Sequence, residues 1–334
     1  MGFALTGEQK QLKQTARAFL TERYPAQAIN DLATSKPPTD MQLWPELVRR
    51  GWLDYDLGPV ERGLLAEASG YALMPAPWWQ SAGPGAVIRE AAGEKDTNPV
   101  AIAGLLSATP VVKATASGTR WTLMGKAPHT PDAELATEIL TTAVIAGGTA
   151  VFAVSAENAG MLAREGHDPL RPMCDLRFLD APARFLVSTV DSGRVMQVAS
   201  RAAIALLACE GIGIAHRALD MAVEHAKNET RSDRPNAPFQ AVAHQLTDAY
   251  AELEVVRALA YRAAWLTGTV DAAGAETGQA LSSAIAASRR AAMACTENAR
   301  QVIGETALTP EHPLHRWHRR ALWLQAFGGA NLPS

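Results

Sequence analysis

Two stretches of this sequence carry residues suited to binding a phosphate group. The first contains Arg231 and Arg234, and the aromatic residue Phe239 follows them. A guanidinium group forms paired hydrogen bonds with a phosphate and attracts its charge. The second stretch contains Gln301 and Gly304, and a glycine lets the backbone approach phosphate oxygens closely. These five are the candidate binding residues, with helix capping or subunit contacts as the alternative role of Gln301 and the two arginines.

Glutamates stand close to both stretches. Glu229 precedes the arginines, and Glu305 follows Gly304. A carboxylate about 4 Å from a phosphate charge costs on the order of 4 kcal/mol at an effective dielectric constant of about 20. Because glutamates in loops are usually solvated, we interpret both as surface charges, and the neighbouring arginines can compensate for the repulsion.

The composition of the chain limits the classes of function. Its 334 residues are 48% hydrophobic with a formal net charge of −3, which is typical of a globular protein of two or three domains. Such a charge gives no long-range attraction to nucleic acid or to a membrane surface, so neither is an expected partner. Cys174, Cys209 and Cys295 are scattered; we therefore expect small buried hydrophobes rather than disulfides or metal ligands.

Targeting signals and hydrolase motifs are not expected in this chain. The first residues, MGFALTGEQKQLKQ, carry charges where a signal peptide needs an apolar run. No apolar run is expected to be long enough to span a bilayer, and we expect a cytoplasmic protein. The G-x-S-x-G elbow of the α/β-hydrolases does not occur.

The elements that must position the candidate residues fall into three predicted domains. Residues 1–97 are predicted to be helical, beginning with Thr6 as N-cap and Gln9 able to complete a capping box. Further helices are predicted around residues 44–51, 60–73 and 85–92. A polar segment rich in turn residues, 93–99, marks the first boundary.

Residues 98–192 are predicted to form a small, truncated β-domain. Short apolar runs there alternate with Gly, Pro, Asp and Asn, which is typical of strands joined by tight turns. The predicted strands lie around residues 111–112, 121–123, 144–146, 150–154 and 176–179.

Residues 193–334 are predicted to form a four-helix bundle, because apolar residues recur every three or four positions with few helix breakers. The predicted helices are 194–227, 239–266, 275–302 and 314–327. Their apolar stripes need a counterpart, so we expect an oligomer. Structural roles are expected for four residues of the last helix, His312, His315, Trp317 and Trp323.

The segment 226–248, AKNETRSDRPNAPFQAVAHQLTD, resembles a motif of the acyl-CoA dehydrogenase family, A-K-x-R-x-x-F-G-R-P-I-x-x-F-Q-A-V-K-H-x-L-A-D. The matching positions need no gap; they are Ala226, Lys227, Arg234, Pro235, Phe239, Gln240, Ala241, Val242, His244, Leu246 and Asp248. The sequence differs at Glu229, where the family has arginine, and at Ser232, where it has phenylalanine. The resemblance implies the family fold, which is mainly α with a middle β-domain and a C-terminal four-helix bundle.

The family chemistry implied by this resemblance is α,β-dehydrogenation of an acyl-CoA thioester. It needs a carboxylate base and a flavin. The usual base lies in a Y-E-G-T stretch, which corresponds here to residues 326–329, AFGG, and an alternative base position corresponds to Ala203. Neither position offers a carboxylate, so no catalytic residue is assigned. The segment 311–316, EHPLHR, is similar to members that act on steroid or other bulky thioesters.

In the family, FAD is shared between protomers, and the resemblance implies how this chain would contribute. The loop T-E-P-x-A-G-S-D, which holds the isoalloxazine, has no match between residues 99 and 120. A neighbour's helices hold the ADP end through an arginine, a phenylalanine and a Q-x-x-G-G-x-G turn. Here that turn reads QVIGETA at 301–307, which keeps Gln301 and Gly304 but loses two glycines.

Three hypotheses remain open. The first is a subunit of a heteromeric (α2β2) acyl-CoA dehydrogenase in which a homologous partner supplies the base and holds or shares the FAD, while this chain alone is inactive. The second is an independent flavoenzyme whose base has moved to Glu210 or Glu305. The third is a scaffold or CoA-thioester-binding protein without redox chemistry. The loss of the base positions together with retention of packing residues favours the first.

Overall fold

The chain forms helices, then a β-sheet, then four more helices, as the sequence predicts. The computed structural model describes residues 4–35, 38–106, 111–229 and 236–327. The expectation of a mainly helical protein with a small β-domain is confirmed.

Short helices around one longer helix make up the N-terminal region. In chain order they are α1 (Gly7–Arg23), α2 (Ala26–Leu32), α3 (Leu43–Arg49), α4 (Pro59–Ala72), α5 (Trp78–Gln80) and α6 (Ala86–Ala91). The capping box is present, because Gln9 N donates to Thr6 Oγ1 (3.2 Å) and Thr6 N donates to Gln9 Oε1 (3.0 Å). The sequence does not predict α2, nor the π-helical turn Ser81–Gly85 between α5 and α6.

The middle of the chain is one seven-stranded sheet that closes on itself. Its strands are β1 (Val100–Ala103), β2 (Val111–Ser117), β3 (Arg120–Pro131), β4 (Glu138–Ile145), β5 (Gly148–Ser155), β6 (Gly160–Arg164) and β7 (Met173–Val187). The order is β1-β4-β2-β3-β7-β5, and β5 also pairs with β4, which completes a ring. A core that includes Leu123, Phe152 and Phe178 fills its interior. The sequence does not predict β1 and β6.

The C-terminal helices are α7 (Ser192–Glu229), α8 (Asn236–Leu266), α9 (Ala275–Ile303) and α10 (Leu314–Ala326), close to their predicted bounds. Helix α7 crosses α4 with the two backbones in contact. A Cβ atom on Gly213 would overlap the carbonyl oxygen of Glu67, and one on Gly70 would overlap that of Glu210. Only glycine fits at these positions, so the crossing fixes the N-terminal helices on the bundle.

One helix is long and apolar enough to cross a membrane by composition, contrary to our expectation from the sequence. An 18-residue window within Ser192–Asn228 has a mean hydropathy of 1.6, and 89% of this window is buried inside the protein. Its apolar residues pack against α4, α8 and α9, so α7 is the central core helix of the fold. Cys209, which lies on it, is buried and free, as are Cys174 and Cys295.

Candidate functional site

The end of the bundle where α9 terminates carries a set of polar side chains. Gln301 is exposed on the last turn of α9. Gln245, on α8, donates from Nε2 to Gln301 Oε1 (3.3 Å) and to Asn298 Oδ1 (3.1 Å). The sequence analysis does not single out Gln245 or Asn298. The available signal is spacing, because Asn298 and Gln301 lie one helical turn apart and share a face.

Gly304 ends α9 in a backbone conformation that favours glycine. Its φ is 81° and its ψ is −152°, and its N–H donates to Arg300 O at 2.9 Å. A Cβ atom added here would have no neighbour within 4 Å. The backbone is therefore open to the close approach of a ligand. Glu305 follows in an exposed 3-10 turn, as expected for a surface charge.

Arg300 adds a cation to this end of the bundle. Its Nε donates to Glu297 Oε2 at 2.9 Å, and its Nη2 also contacts the Glu297 carboxylate. Hydrogen bonding from Arg300, followed by its charge, holds the pKa of Glu297 below its usual range, although burial opposes the shift. Both side chains are partly exposed, so this pair stabilises the fold little. A carboxylate group thus lies against the donors of Arg300, one residue before Gln301.

Two of the five candidate binding residues are placed together by the structure. Gln301 and Gly304 share the end of α9. Phe239 lies in the first turn of α8, but its side chain is outside the described part of the chain, as are Arg231 and Arg234.

The positions that correspond to the family's two base sites carry no carboxylate in this sequence. Ala203 is fully buried on α7. Gly328 lies outside the described residues, but its neighbour Phe327 is buried and stacks on Trp323 with ring centroids 4.7 Å apart. Trp79 packs edge-on against the Phe327 ring at 6.1 Å. Aromatic side chains therefore fill the space beside α10.

A buried network of charged side chains lies where the three domains meet. Glu210 on α7 accepts at Oε1 from Arg171 Nη2 (2.7 Å) and from Arg320 Nη1 (2.6 Å). Arg320, on α10, also donates to Asp168. Arg171 Nη1 lies 4.0 Å from Asp132 Oδ2. All five side chains are at most 2% exposed, and the network joins the loops of the β-domain to two helices of the bundle.

Side chains of the N-terminal region also contact this network. Trp79 Nε1 donates to Asp132 Oδ2 (3.0 Å), and Gln80 Nε2 donates to Pro131 O (2.8 Å). The Arg171 guanidinium lies against two indole rings that also contact each other, 5.5 Å from the Trp79 centroid and 5.2 Å from that of Trp323. Contacts of a cation with aromatic faces are attractive and strengthen without water. We refer to this cluster of Asp132, Asp168, Arg171, Glu210 and Arg320 as the junction network.

Burial and neighbouring charges shift the pKa values of side chains in the junction network in opposite directions. Burial raises the pKa of Asp132, although Arg171 nearby opposes the rise. Burial lowers the pKa of Arg171, against the attraction of Glu210. Burial also opposes the charged form of Arg320, but Asp168 and Glu210 outweigh it and raise the pKa of Arg320. The two arginines are thus balanced by carboxylates that no solvent reaches.

The hypothesis that Glu210 acts as a relocated base does not agree with this geometry. Its carboxylate is enclosed, and its Oε1 atom is shared by two guanidinium groups. A general base must lie within hydrogen-bonding reach of a substrate proton. Glu210 is held at Oε1 by arginines from the β-domain and from α10, so it links these two parts of the protein to α7.

The histidines and tryptophans of the last helix contact other parts of the protein. The Nδ1 atom of His312 accepts from Leu314 N (3.2 Å), and His315 Nδ1 lies 2.7 Å from His312 O, so both order the start of α10. Trp317 is buried and donates to Tyr71 O at 3.0 Å. These contacts are structural, in agreement with the interpretation of the sequence.

Comparisons with known proteins relate the C-terminal part of the chain to one family. Residues 194–331 match the model of the acyl-CoA dehydrogenase C-terminal domain. The chain is 36% identical over 124 residues to acyl-CoA dehydrogenase IpdE2 of Mycobacterium tuberculosis, a match covering 37% of this chain and 36% of that protein. Residues 194–331 therefore belong to the family of acyl-CoA dehydrogenase C-terminal domains.

Two solved structures share the fold along nearly the whole chain. One is the ChsE4-ChsE5 complex of Mycobacterium tuberculosis, with a TM-score of 0.82 and 20% identity over 98% of this chain and 95% of that chain. The other is the Tcur3481-Tcur3483 steroid acyl-CoA dehydrogenase, with a TM-score of 0.76 and 23% identity over 95% and 92%. At these identities the likeness describes the fold.

The two regions differ in how they fit the FAD that the family implies. The end of α9 offers amide and guanidinium donors and an open backbone at Gly304, which suits the anionic ADP end of a flavin. The junction network, with the rings of Trp79, Trp323 and Phe327, is packed protein. The described residues there fit neither an isoalloxazine nor an acyl chain.

Proposed function

We propose that this chain is a subunit of a heteromeric FAD-dependent acyl-CoA dehydrogenase and lacks a catalytic base of its own. The substrate class we propose is an acyl-CoA thioester with a steroid or similarly bulky acyl group. The relatives that support this class are a steroid acyl-CoA dehydrogenase and a complex of two chains.

The observation that carries this proposal is the junction network. Buried ion pairs and stacked aromatic rings join α7, α10 and the β-domain. Opening this junction for a substrate would leave charges such as Glu210 and Arg320 buried without partners. Removing one member of a buried ion pair costs about 3 to 5 kcal/mol, and this cost supports our proposal that dehydrogenation takes place on another chain.

In this proposal the chain contributes binding groups rather than a proton acceptor. FAD, when bound, supplies the hydride acceptor. The amide of Gln301 and the open backbone at Gly304 hold the ADP end of the partner's flavin. Arg231 and Arg234, which lie between α7 and α8 in the sequence, are the further binding residues that we propose for the ADP end.

A surface suited to a partner chain lies on α8. Val255, Leu259 and Trp265 are 64%, 38% and 48% exposed, and they lie within about 120° of each other around the helix axis. An apolar helix face of this kind usually marks an interaction site. We refer to these three residues as the α8 stripe, and we propose that the homologous subunit packs on it.

Co-expression tests the proposal directly. The chain is produced alone and together with candidate homologous subunits, and the flavin absorbance and the mass of each assembly are recorded. We expect a colourless or insoluble lone chain and a yellow heteromer. A yellow, active homomer would favour an independent flavoenzyme, and a soluble, colourless homomer that binds no candidate would favour a scaffold; either result contradicts the proposal.

Variants of the heteromer test the contribution to FAD binding. Gln301→Ala combined with Arg231→Ala should lower flavin content, because both changes remove donors near the ADP end. Gln279→Ala is a matched control, since Gln279 is exposed near the start of α9. Equal flavin content and affinity in both variants would mean that this chain does not contact the ADP end.

A further inference from the structure

The amide of Gln301 has a defined orientation in this structure. Its carbonyl oxygen accepts from Gln245 Nε2 at 3.3 Å. Since the oxygen and nitrogen of a planar amide point in different directions, this hydrogen bond turns the N–H group of Gln301 away from α8.

The same nitrogen of Gln245 also sets the amide of Asn298. It donates to Asn298 Oδ1 at 3.1 Å, so both hydrogens of one NH2 group are directed at the carbonyl oxygens of two α9 side chains. The oxygen atoms, which would repel an anion, are thereby turned towards α8. The Arg300 guanidinium, adjacent to Gln301 in the chain, holds the carboxylate of Glu297, which shows that an anionic oxygen fits at this end of α9.

We propose that Gln245 is a positioning residue for the ADP end of the flavin. It does not bind the phosphates itself; it orients Gln301 so that the amide offers a donor to an anion, which displaces the exposed Glu297 carboxylate. Without Gln245, the Gln301 side chain rotates freely and presents oxygen as often as nitrogen. This inference rests on the proposed function, because the ligand is the FAD of the heteromer.

The test uses a double-mutant cycle in the heteromer. The dissociation constant for FAD is measured by equilibrium dialysis for four forms: wild type, Gln245→Leu, Gln301→Ala and the double variant. Losing an oriented hydrogen bond should weaken binding about three- to tenfold in each single variant. Because Gln245 acts through Gln301, adding Gln245→Leu to Gln301→Ala should change affinity less than about twofold.

A matched control and a folding check complete the experiment. Gln279→Leu makes the same substitution on the exposed face near the start of α9, and its FAD affinity should equal that of wild type. Gln245→Ala provides a second truncation, and circular dichroism verifies that each variant keeps its helices. Independent, multiplying effects of the two single changes would overturn the positioning role, as would wild-type affinity in Gln245→Leu.

The outcomes separate this inference from the proposed function. A yellow heteromer whose FAD affinity does not depend on Gln245 leaves the subunit role intact and removes only the positioning role. A candidate partner that forms no flavin-containing heteromer contradicts the proposed function before any variant is compared.

Discussion

The end of α9 and the junction between the domains use the same kinds of side chain in opposite ways. At the end of α9, Gln301 is exposed, and Arg300 beside it holds a partly exposed carboxylate. At the junction, Arg171 and Arg320 are enclosed and hold buried carboxylates. Solvent access decides the difference, because an exposed pair exchanges partners at little cost whereas a buried one does not. The end of α9 is therefore where we propose that a ligand binds, and the junction network is expected to stay closed.

The largest expected effect comes from breaking the junction network. Arg320→Ala would leave Asp168 buried without its arginine and would deprive Glu210 of one of its two. We expect a loss of about 3 to 5 kcal/mol in the free energy of unfolding, measured by urea unfolding followed by circular dichroism. Arg319→Ala is the control, since Arg319 is the exposed neighbour and should change stability by less than about 0.5 kcal/mol. Equal stability of the two variants would show that the junction is held by packing alone.

A second buried charge, that of Glu67, should make the free energy of unfolding depend on pH. The exposed groups at the end of α9 should not have this effect. Glu67 is buried between α1, α4 and the bundle, where Lys13 Nζ lies 3.1 Å and Arg257 Nε 3.2 Å from Oε1. Burial raises the pKa of Glu67, but the nearby His216, whose Nδ1 lies 3.9 Å from Oε1, and the charges of Arg257 and Lys13 outweigh it and bring the pKa from its usual value of 4.5 to about 2.

The sign of this effect follows from the lowered pKa. The ionised carboxylate stabilises the folded state, so its contribution of about 3 kcal/mol is present above pH 4.5 and is lost as the pH falls towards about 2. Urea unfolding at several pH values should show this loss in wild type and in Glu297→Gln, but not in Glu67→Gln. An identical pH profile for both variants would mean that Glu67 is not linked to folding.

The smallest of these effects concerns assembly through the α8 stripe. Val255→Glu places a charge on the surface where we propose that the homologous subunit packs. We expect affinity for the partner to fall by about 2 kcal/mol, or roughly 30-fold, as for a buried contact residue, measured by analytical ultracentrifugation. Val270→Glu makes the same substitution at an exposed position beyond α8. Similar assembly of the two variants would place the partner elsewhere.

Most of the helices could be predicted from the sequence because their signals are local. The capping residues Thr6 and Gln9 identify the start of α1, and apolar periodicity identifies the long helices α7, α8 and α9. Strand β1 is missed because its four residues are all buried, which leaves no alternation to detect. Helix α2 is too short for its periodicity to be recognised.

The candidate site could be predicted only in part. Residue types pointed to Gln301 and Gly304, which the structure places together. Gln245 was missed because its role depends on the register between α8 and α9. Glu210 was weighed as a possible relocated base, but its pairing with Arg171 and Arg320 could not be predicted, because both arginines come from distant parts of the chain.

The sequence by itself determined most of the elements, their order and the family resemblance, because helix caps, periodicity and motifs depend on residues close together in the chain. The tertiary structure decided which polar groups became accessible and which became enclosed. Arg320 and Asp168 are separated by 152 residues, and no local pattern relates them. Their pairing arises from the way α10 and the β-domain pack around α7, since a charge removed from water must find its partner in whichever segment lies beside it.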